Sequence, residues 1–156
     1  MSNILDILNT QDLTSTDLKP KRIKHGTQCV FNVKSVKEVP SKKDPMDKNI
    51  EVVVTLANPA PSEKPGENID PGFQITSWIS LKPVDKNGKD RTEQILREVT
   101  TFKLCVTGSK AGAFYPLEQY VGRQVMGTVS VEKDEAGQYA DQNRVRFIPP
   151  NGVKFE

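Results

Sequence analysis

Hydrophobic and polar residues alternate along much of this chain, a pattern typical of β-strands whose two faces meet different surroundings. The pattern predicts five strands, over residues 26–39, 50–57, 73–82, 122–133 and 139–148. In the first strand Cys29, Phe31 and Val33 share one face, whereas Val36 breaks the two-residue period. A β-bulge near Ser35 accounts for that break, and a long bulged first strand is typical of a small β-barrel.

One helix is predicted between the third and fourth strands. The residues that share its apolar face at helical spacing are Ile95, Val99, Phe102 and Val106. Asp90 and Glu93 have the spacing of a capping box at its start, and Gly108 is typical of the residue that ends a helix. A second, short amphipathic helix is predicted over 2–9, where it needs to dock on the body or on another subunit to be stable.

The predicted order is three strands, one helix and two strands, which favours an OB-fold barrel, β1-β2-β3-α-β4-β5. A ferredoxin-like fold needs a helix after its first strand, and a β-sandwich needs more strands and no central helix. Residues 58–71 contain four prolines without periodicity and are predicted to form a long loop. The predicted division is an N-terminal extension over 1–24, an OB-fold domain over 25–150 and a short tail over 151–156.

The third strand places the chain's single tryptophan on its polar face. Its apolar face consists of Phe73, Ile75, Ile79 and Leu81, and its polar face of Gln74, Thr76, Trp78, Ser80 and Lys82. A large flat ring among hydroxyls, an amide and a lysine suits stacking on a nucleic-acid base. The alternative is that a loop or the terminal arm folds over Trp78 and buries it.

Composition limits the class of protein. The 156 residues are 35% hydrophobic, which predicts one domain with long polar loops. Lys and Arg number 22 against 20 Asp and Glu, so a nucleic-acid surface requires an uneven distribution of charge. No stretch approaches the roughly 20 apolar residues of a membrane span. Without a secretory signal either, the chain is expected to be cytoplasmic, with no membrane partner.

The residues that carry chemistry are few and scattered. Cys29 and Cys105 lie in apolar runs and are predicted to be buried free thiols, although a disulfide between them remains an alternative. His25 stands alone and is predicted to be a turn residue, and the glycine-bearing stretch 108–112 lacks P-loop spacing. The sequence therefore predicts no enzymatic activity, no metal and no cofactor.

Basic and aromatic residues surround the predicted binding face of the barrel, where ligands cross strands two and three between two loops. The predicted DNA-binding residues are Trp78, Lys34, Lys42, Lys43, Lys82, Arg123, Tyr139, Arg144 and Arg146. The basic side chains are expected to hold phosphates, and the two rings to stack on bases.

These residues also allow a purely structural interpretation, in which they bind no ligand. Lys42 and Lys43 are ordinary solvated loop lysines in that interpretation, and Tyr139 caps the barrel end. Arg144 and Arg146 then pair with Glu132 or Asp141 across a hairpin. Phe114 and Tyr115 form either a hydrophobic plug or an exposed aromatic pair, and the residues alone do not separate the two.

Several short motifs carry a resemblance to a known group of proteins. They are Gly26-Thr27-Gln28, Leu104-Cys105-Val106, the run from Leu117 to Val125, Asn143-Arg144-Val145 and Ile148-Pro149. Together with the tryptophan-centred third strand, they resemble small bacteriophage OB-fold proteins regarded as single-stranded DNA-binding proteins, over about residues 25–150. The resemblance implies ssDNA binding in phage replication or recombination without catalysis, in the host cytoplasm if the chain is phage-encoded. It leaves residues 1–24 outside, and the acidic tail of many such proteins is missing from 149–156.

The leading hypothesis is therefore a largely sequence-independent ssDNA-binding protein. Its partners would be single-stranded DNA, a second copy of itself, or phage or host replication and recombination proteins. RNA is a close variant, since discrimination by the 2′-hydroxyl depends on placement. The alternative is a protein-interaction module in which Trp78, Phe114 and Tyr115 form an apolar patch that the proline-rich loop binds or shields.

Overall fold

A computed structural model describes residues 3–14, 21–44, 46–132 and 142–150 of this protein. The elements are helix α1 (Ile4–Thr10), strands β1 (Thr27–Pro40), β2 (Lys48–Leu56), β3 (Ala60–Pro61), β4 (Asn68–Ile69) and β5 (Gln74–Ser80), helix α2 (Thr92–Thr107), a 3₁₀ turn (Leu117–Tyr120), and strands β6 (Gln124–Glu132) and β7 (Gln142–Ile148). The five longer strands and α2 lie where the hydrophobic pattern predicts them. The prediction of a mostly β fold with one long helix is therefore confirmed.

The five longer strands form one antiparallel sheet in the order β5-β2-β1-β6-β7. The central strand β1 pairs with β6 from Thr27 to Asn32 and with β2 from Phe31 to Pro40. Its register with β2 shifts between Val33 and Ser35, which confirms the predicted bulge and leaves Lys34 without a cross-strand partner in β2. A bulge bends its strand, so β1 directs its two halves into different parts of the sheet.

The predicted five-stranded barrel is not closed. Strands β5 and β7 are the two edges of the sheet, and among the described residues no strand pairing joins them. A cleft of about 970 Å³ opens where these edges approach α2, lined by residues of all three elements. Helix α2 packs against both edges at this point. Its side chains form the base of the cleft, in the place where hydrogen bonds between β5 and β7 would close a barrel.

The core lies between the inner face of the sheet and α2. In β2, Ile50, Val52, Val54 and Leu56 are at most 2% exposed, as the alternation predicts. Phe31 and Phe102 are buried as predicted, and the Phe102 and Tyr120 ring centroids are 5.1 Å apart. Cys29 and Cys105 are buried free thiols, so that prediction holds and the alternative of a disulfide between them does not.

The proline-rich segment is more ordered than a loop without periodicity. Its short strands β3 and β4 pair with each other, and Ser62 bridges to Ile23. Ile23, which the sequence assigned to the N-terminal extension, is fully buried. Its N–H donates to Asn143 Oδ1 at 2.8 Å, and Asn143 Nδ2 donates back to the Ile23 carbonyl at 3.0 Å. The segment therefore covers this end of the core.

The sequence predicted the ends of the helices only in part. Gly108 ends α2 at φ +79°, as predicted, and its N–H donates to the Leu104 carbonyl. The predicted capping box is wrong: Asp90 accepts from the Thr92 N–H and hydroxyl at 2.9 and 2.7 Å, while Glu93 pairs with Arg97. The short helix α1 forms as predicted but buries none of its residues. Neither helix of the described ranges is long and apolar enough to cross a membrane.

The close approach of β6 to β7 yields a stability prediction. A Cβ at Gly127 would lie 2.5 Å from Val145 Cγ2 and 3.2 Å from the Arg146 carbonyl oxygen. Gly127→Ala is therefore expected to lower the free energy of unfolding by about 1–3 kcal/mol through overpacking. Urea denaturation measures the loss, with Thr128→Ala on the outer face as control. If Gly127→Ala is as stable as the control, the inferred packing is wrong.

The buried thiol of Cys105 makes stability depend on alkaline pH. Burial raises the pKa of this thiol to about 11. The Cys105 thiol therefore stays protonated in the folded chain at pH values where it ionises in the unfolded chain. The stabilisation is complete below the unfolded pKa near 9.0 and is lost as pH rises towards 11, a fall of about 2–3 kcal/mol. Urea denaturation at pH 8 and pH 10.5 tests this. Cys105→Ala should lose less stability between the two pH values, and an unchanged loss contradicts the prediction.

Candidate nucleic-acid interface

Trp78 lies on the outer face of β5, directly across from Glu51 of β2. Ile75 and Ile79, on the opposite face of the strand, pack in and against the core, as the alternation requires. Trp78 is 49% exposed, so the alternative in which a loop or the terminal arm buries it is wrong. The ring is therefore accessible to a planar ligand.

Arg144 reaches Trp78 from the opposite edge of the sheet. Its guanidinium carbon lies 5.6 Å from the centroid of the Trp78 ring, within the range of a cation–π contact. Arg144 Nε also donates to Glu132 Oε2 at 2.8 Å across the β6–β7 pair, as the structural alternative predicted. The ion pair thus holds the guanidinium beside the indole.

Arg146 lies two residues further along β7 and is exposed. It lies opposite Thr128 of β6, and it lines the cleft together with Trp78. Asp141, its other predicted partner, lies outside the described residues. The structure therefore brings Trp78, Arg144 and Arg146 together at the opening between β5 and β7, which we call the seam.

A second basic group lies at the end of the sheet beyond Trp78. The Leu81 N–H donates to the Lys48 carbonyl at 2.9 Å, which joins the end of β5 to the β1–β2 connection. Lys42 and Lys43 are exposed in that connection, and Lys82 is exposed beside its base. The Lys82 carbonyl accepts from Arg91 Nη1 at 2.7 Å, so Arg91, which sequence reasoning missed, adds a further positive charge.

Lys34 and Arg123 lie apart from these residues. Lys34 sits at the bulge of β1, two strands from β5, a separation of about 10 Å between backbones. The Arg123 carbonyl accepts from the Val33 N–H at 2.8 Å, so Arg123 borders Lys34. The predicted basic residues therefore form three groups: Arg144 and Arg146 at the seam, Lys42, Lys43 and Lys82 at the end of the sheet, and Lys34 with Arg123 beyond β2. Tyr139 lies outside the described residues.

The outer face also carries two charged residues, Lys37 and Glu51, that the predicted DNA-binding site did not include. Lys37 lies opposite Glu51, and Glu51 lies opposite Trp78, so the three side chains form one row across β1, β2 and β5. Strict alternation from Lys34 would put Lys37 on the inner face, and only the extra residue at the bulge moves it outward. Glu51 is a negative charge beside the ring.

Phe114 and Tyr115 have different roles. Phe114 is a plug whose ring packs 5.5 Å from Tyr120 and 6.3 Å from Phe102. Tyr115 is 49% exposed and donates its hydroxyl to Glu38 Oε2 at 2.9 Å. Burial and the Glu38 carboxylate raise the pKa of Tyr115. The pair is therefore split between core and surface.

Metal-ligating and nucleophilic groups are sparse in the part of the chain that the structure describes. Within it, no three His, Cys, Asp or Glu side chains come close enough to hold a metal ion. His25 lies in a turn, as predicted, and its Nδ1 accepts from the Val131 N–H at 3.1 Å. The buried Lys103 donates to the Ala113 carbonyl at 3.1 Å and so fastens the loop after α2.

No protein-family model matches this chain, and no curated protein matches its sequence significantly. The function is therefore inferred from the geometry of the outer face and the seam.

The single tryptophan makes the Arg144 contact measurable, since fluorescence excited selectively at tryptophan reports on Trp78 alone. Arg144→Ala removes the guanidinium that lies against the ring, so acrylamide is expected to quench Trp78 more strongly. Arg123→Ala is the matched control, because Arg123 Nε donates to the Gln119 carbonyl, away from the ring. Equal quenching in both variants would show that Arg144 does not cover Trp78 in solution.

Proposed function

We propose that this protein binds single-stranded DNA, largely independently of sequence, through an OB-type fold. An OB-fold is a five-stranded, partly open barrel. The open five-stranded antiparallel sheet, with its one long helix between the third and fourth longer strands, is consistent with that architecture. Proteins of this type bind strands across the outer face of the sheet, which is the face that carries Trp78.

The observation that carries the proposal is the half-exposed Trp78 ring with Arg144 against it. Base–aromatic stacking tolerates any base, because every base has a π-face. A guanidinium beside an exposed indole adds a positive charge at the place where a nucleotide phosphate follows its base. This combination of ring and cation on a polar face supports binding without sequence readout.

Phosphate contacts are assigned to the basic residues on either side of the ring. Arg146 continues the track along β7, and Lys82, Lys42 and Lys43 continue it past the end of β5. Lys34 and Arg123 form a second stretch across the sheet, which a longer strand would reach. Each phosphate neutralised adds about 0.7 to the slope of log affinity against log salt for single strands.

The cellular setting follows the resemblance of the motifs. A phage-encoded chain would act in the host cytoplasm, with replication or recombination proteins as partners. RNA competes as a ligand, because stacking and phosphate contacts serve both nucleic acids. The protein-interaction alternative has less support, since Phe114 packs against Tyr120 in the interior and does not join Trp78 in an apolar patch.

The first test is quenching of Trp78 fluorescence by oligo-dT at several salt concentrations. Binding through stacking and phosphates gives strong quenching that weakens steeply with salt. Quenching that does not depend on salt, or none together with no gel shift, would contradict the proposal and favour a protein partner. Parallel titration with oligo-rU measures the preference between DNA and RNA.

Substitutions around the ring separate stacking from charge. Trp78→Ala is expected to weaken ssDNA binding by about 1–3 kcal/mol, roughly 5- to 150-fold in Kd, whereas Trp78→Phe keeps most of the affinity. Glu51→Gln removes the negative charge opposite the ring and should tighten binding, most clearly at low salt. Fluorescence anisotropy of labelled oligo-dT measures all three variants. Unchanged affinity in Trp78→Ala would exclude Trp78 as the stacking residue.

A further inference from the structure

One carboxylate lies beside the ring to which base stacking is assigned. Glu51 of β2 is directly opposite Trp78 of β5, on the same outer face of the sheet. Residues directly opposite each other on antiparallel strands have Cβ atoms about 4.5–5.5 Å apart, so a planar group stacked on Trp78 comes within reach of the Glu51 side chain. A nucleotide bound at Trp78 therefore meets this carboxylate.

The oxygens of the Glu51 carboxylate are open to donors from a ligand. The neighbour of Glu51 on its other side is Lys37 of β1, and these two side chains form no ion pair. Within the described ranges, the Glu51 side chain has no other hydrogen-bonding or ionic partner. An ionised carboxylate only accepts hydrogen bonds and offers two oxygens side by side. It therefore suits a ligand that presents two adjacent N–H donors.

The two sides of Trp78 carry opposite charges. Arg144 approaches from β7, with its guanidinium carbon 5.6 Å from the ring centroid, whereas Glu51 approaches from β2. Strand β2 pairs with β5 on one side, and β7 lies across the seam on the other. In a nucleotide, the sugar and phosphate lie opposite the Watson–Crick edge of the base. A base that stacks on Trp78 with its phosphate beside Arg144 therefore directs that edge towards Glu51.

The four bases differ in the donors that this edge presents. Guanine has two adjacent donors, N1–H and the N2 amine, whereas adenine and cytosine have one amine each. Thymine has a single N–H between two carbonyl oxygens, which a carboxylate repels. Guanine alone can therefore donate two parallel, charge-assisted hydrogen bonds to one carboxylate. Single-stranded bases leave these groups exposed, since no complementary strand occupies them.

We propose that Glu51 gives the stacking site a preference for guanine over thymine, by accepting from the N1–H and the N2 amine of a guanine stacked on Trp78. The inference rests on the proposed function, and it adds selectivity at one position to binding that is otherwise independent of sequence. It also gives Glu51 a use on a face that binds a polyanion, where a carboxylate without base contacts only repels phosphate. Lys37, directly opposite Glu51, offsets part of that repulsion.

Three oligonucleotides of equal length test the preference: oligo-dT, thymine alternating with 7-deazaguanine, and thymine alternating with 7-deazahypoxanthine. The two 7-deaza bases lack N7 and so form no quadruplexes, and they differ from each other only in the N2 amine. A bidentate contact of the half-buried Glu51 is expected to bind the 7-deazaguanine strand about 5- to 10-fold more tightly than oligo-dT. The 7-deazahypoxanthine strand should lie between them. Fluorescence anisotropy at one fixed salt concentration measures the three Kd values.

Glu51→Gln separates base recognition from charge. The variant should bind oligo-dT more tightly, because it removes a negative charge beside the ring, and yet lose most of its preference for 7-deazaguanine. The loss is expected because a neutral amide offers one acceptor oxygen in place of two. The matched control is Glu118→Gln, which removes an exposed carboxylate from the 3₁₀ turn that packs against β1 and α2. This control should keep the full preference.

The outcomes distinguish this inference from the proposed function. Equal affinity of the unmodified chain for all three oligonucleotides would overturn the guanine preference and leave ssDNA binding intact. A preference that survives Glu51→Gln would overturn the role of Glu51, since stacking or another group then selects the base. A chain that binds none of the three oligonucleotides would contradict the proposed function, and this inference with it.

Discussion

The length and the bulge of β1 are the constraint on which the rest of the sheet depends. One half of β1 pairs with β6 and the other with β2, so both halves of the sheet are attached to a single strand. The bulge between Val33 and Ser35 bends that strand and increases its twist. The inner side chains of the two halves then face each other and α2, and they close around Phe31, Phe102 and Tyr120.

The curl of the sheet creates the candidate site. Trp78 and Arg144 belong to strands at opposite ends of the sheet order, and they meet only because the two edges approach each other. Open edges invite pairing with other chains, and charged side chains on an edge strand oppose it. Arg144 and Arg146 therefore have a structural role on β7 whether or not a ligand is bound.

The alternation of apolar and polar residues predicted the strands and their buried faces, because both depend on residues that are close together in the sequence. Alternation in β2 predicted which of its residues are buried, and alternation in β5 predicted the exposure of Trp78. The approach of Arg144 to Trp78 depends on the curvature of the whole sheet, so no local pattern contains it. The pairing of β3 with β4 and the burial of Ile23 depend on contacts with distant Asn143 and Ser62. The face of Lys37 was predictable in principle, since the bulge that moves it outward was itself predicted.

The ion pair with Glu132 gives Arg144 a different role from that of Arg146. An exposed ion pair contributes little to stability, about 0–1 kcal/mol, so its main effect here is to orient the guanidinium against Trp78. Arg146 forms no ion pair with any residue in the described ranges, which leaves its charge for a ligand. A chain with a net charge of only +2 can bind a polyanion if it concentrates its cations beside the stacking ring. Within the row formed with Lys37 and Trp78, Glu51 works against that concentration, because it places a negative charge directly beside the ring.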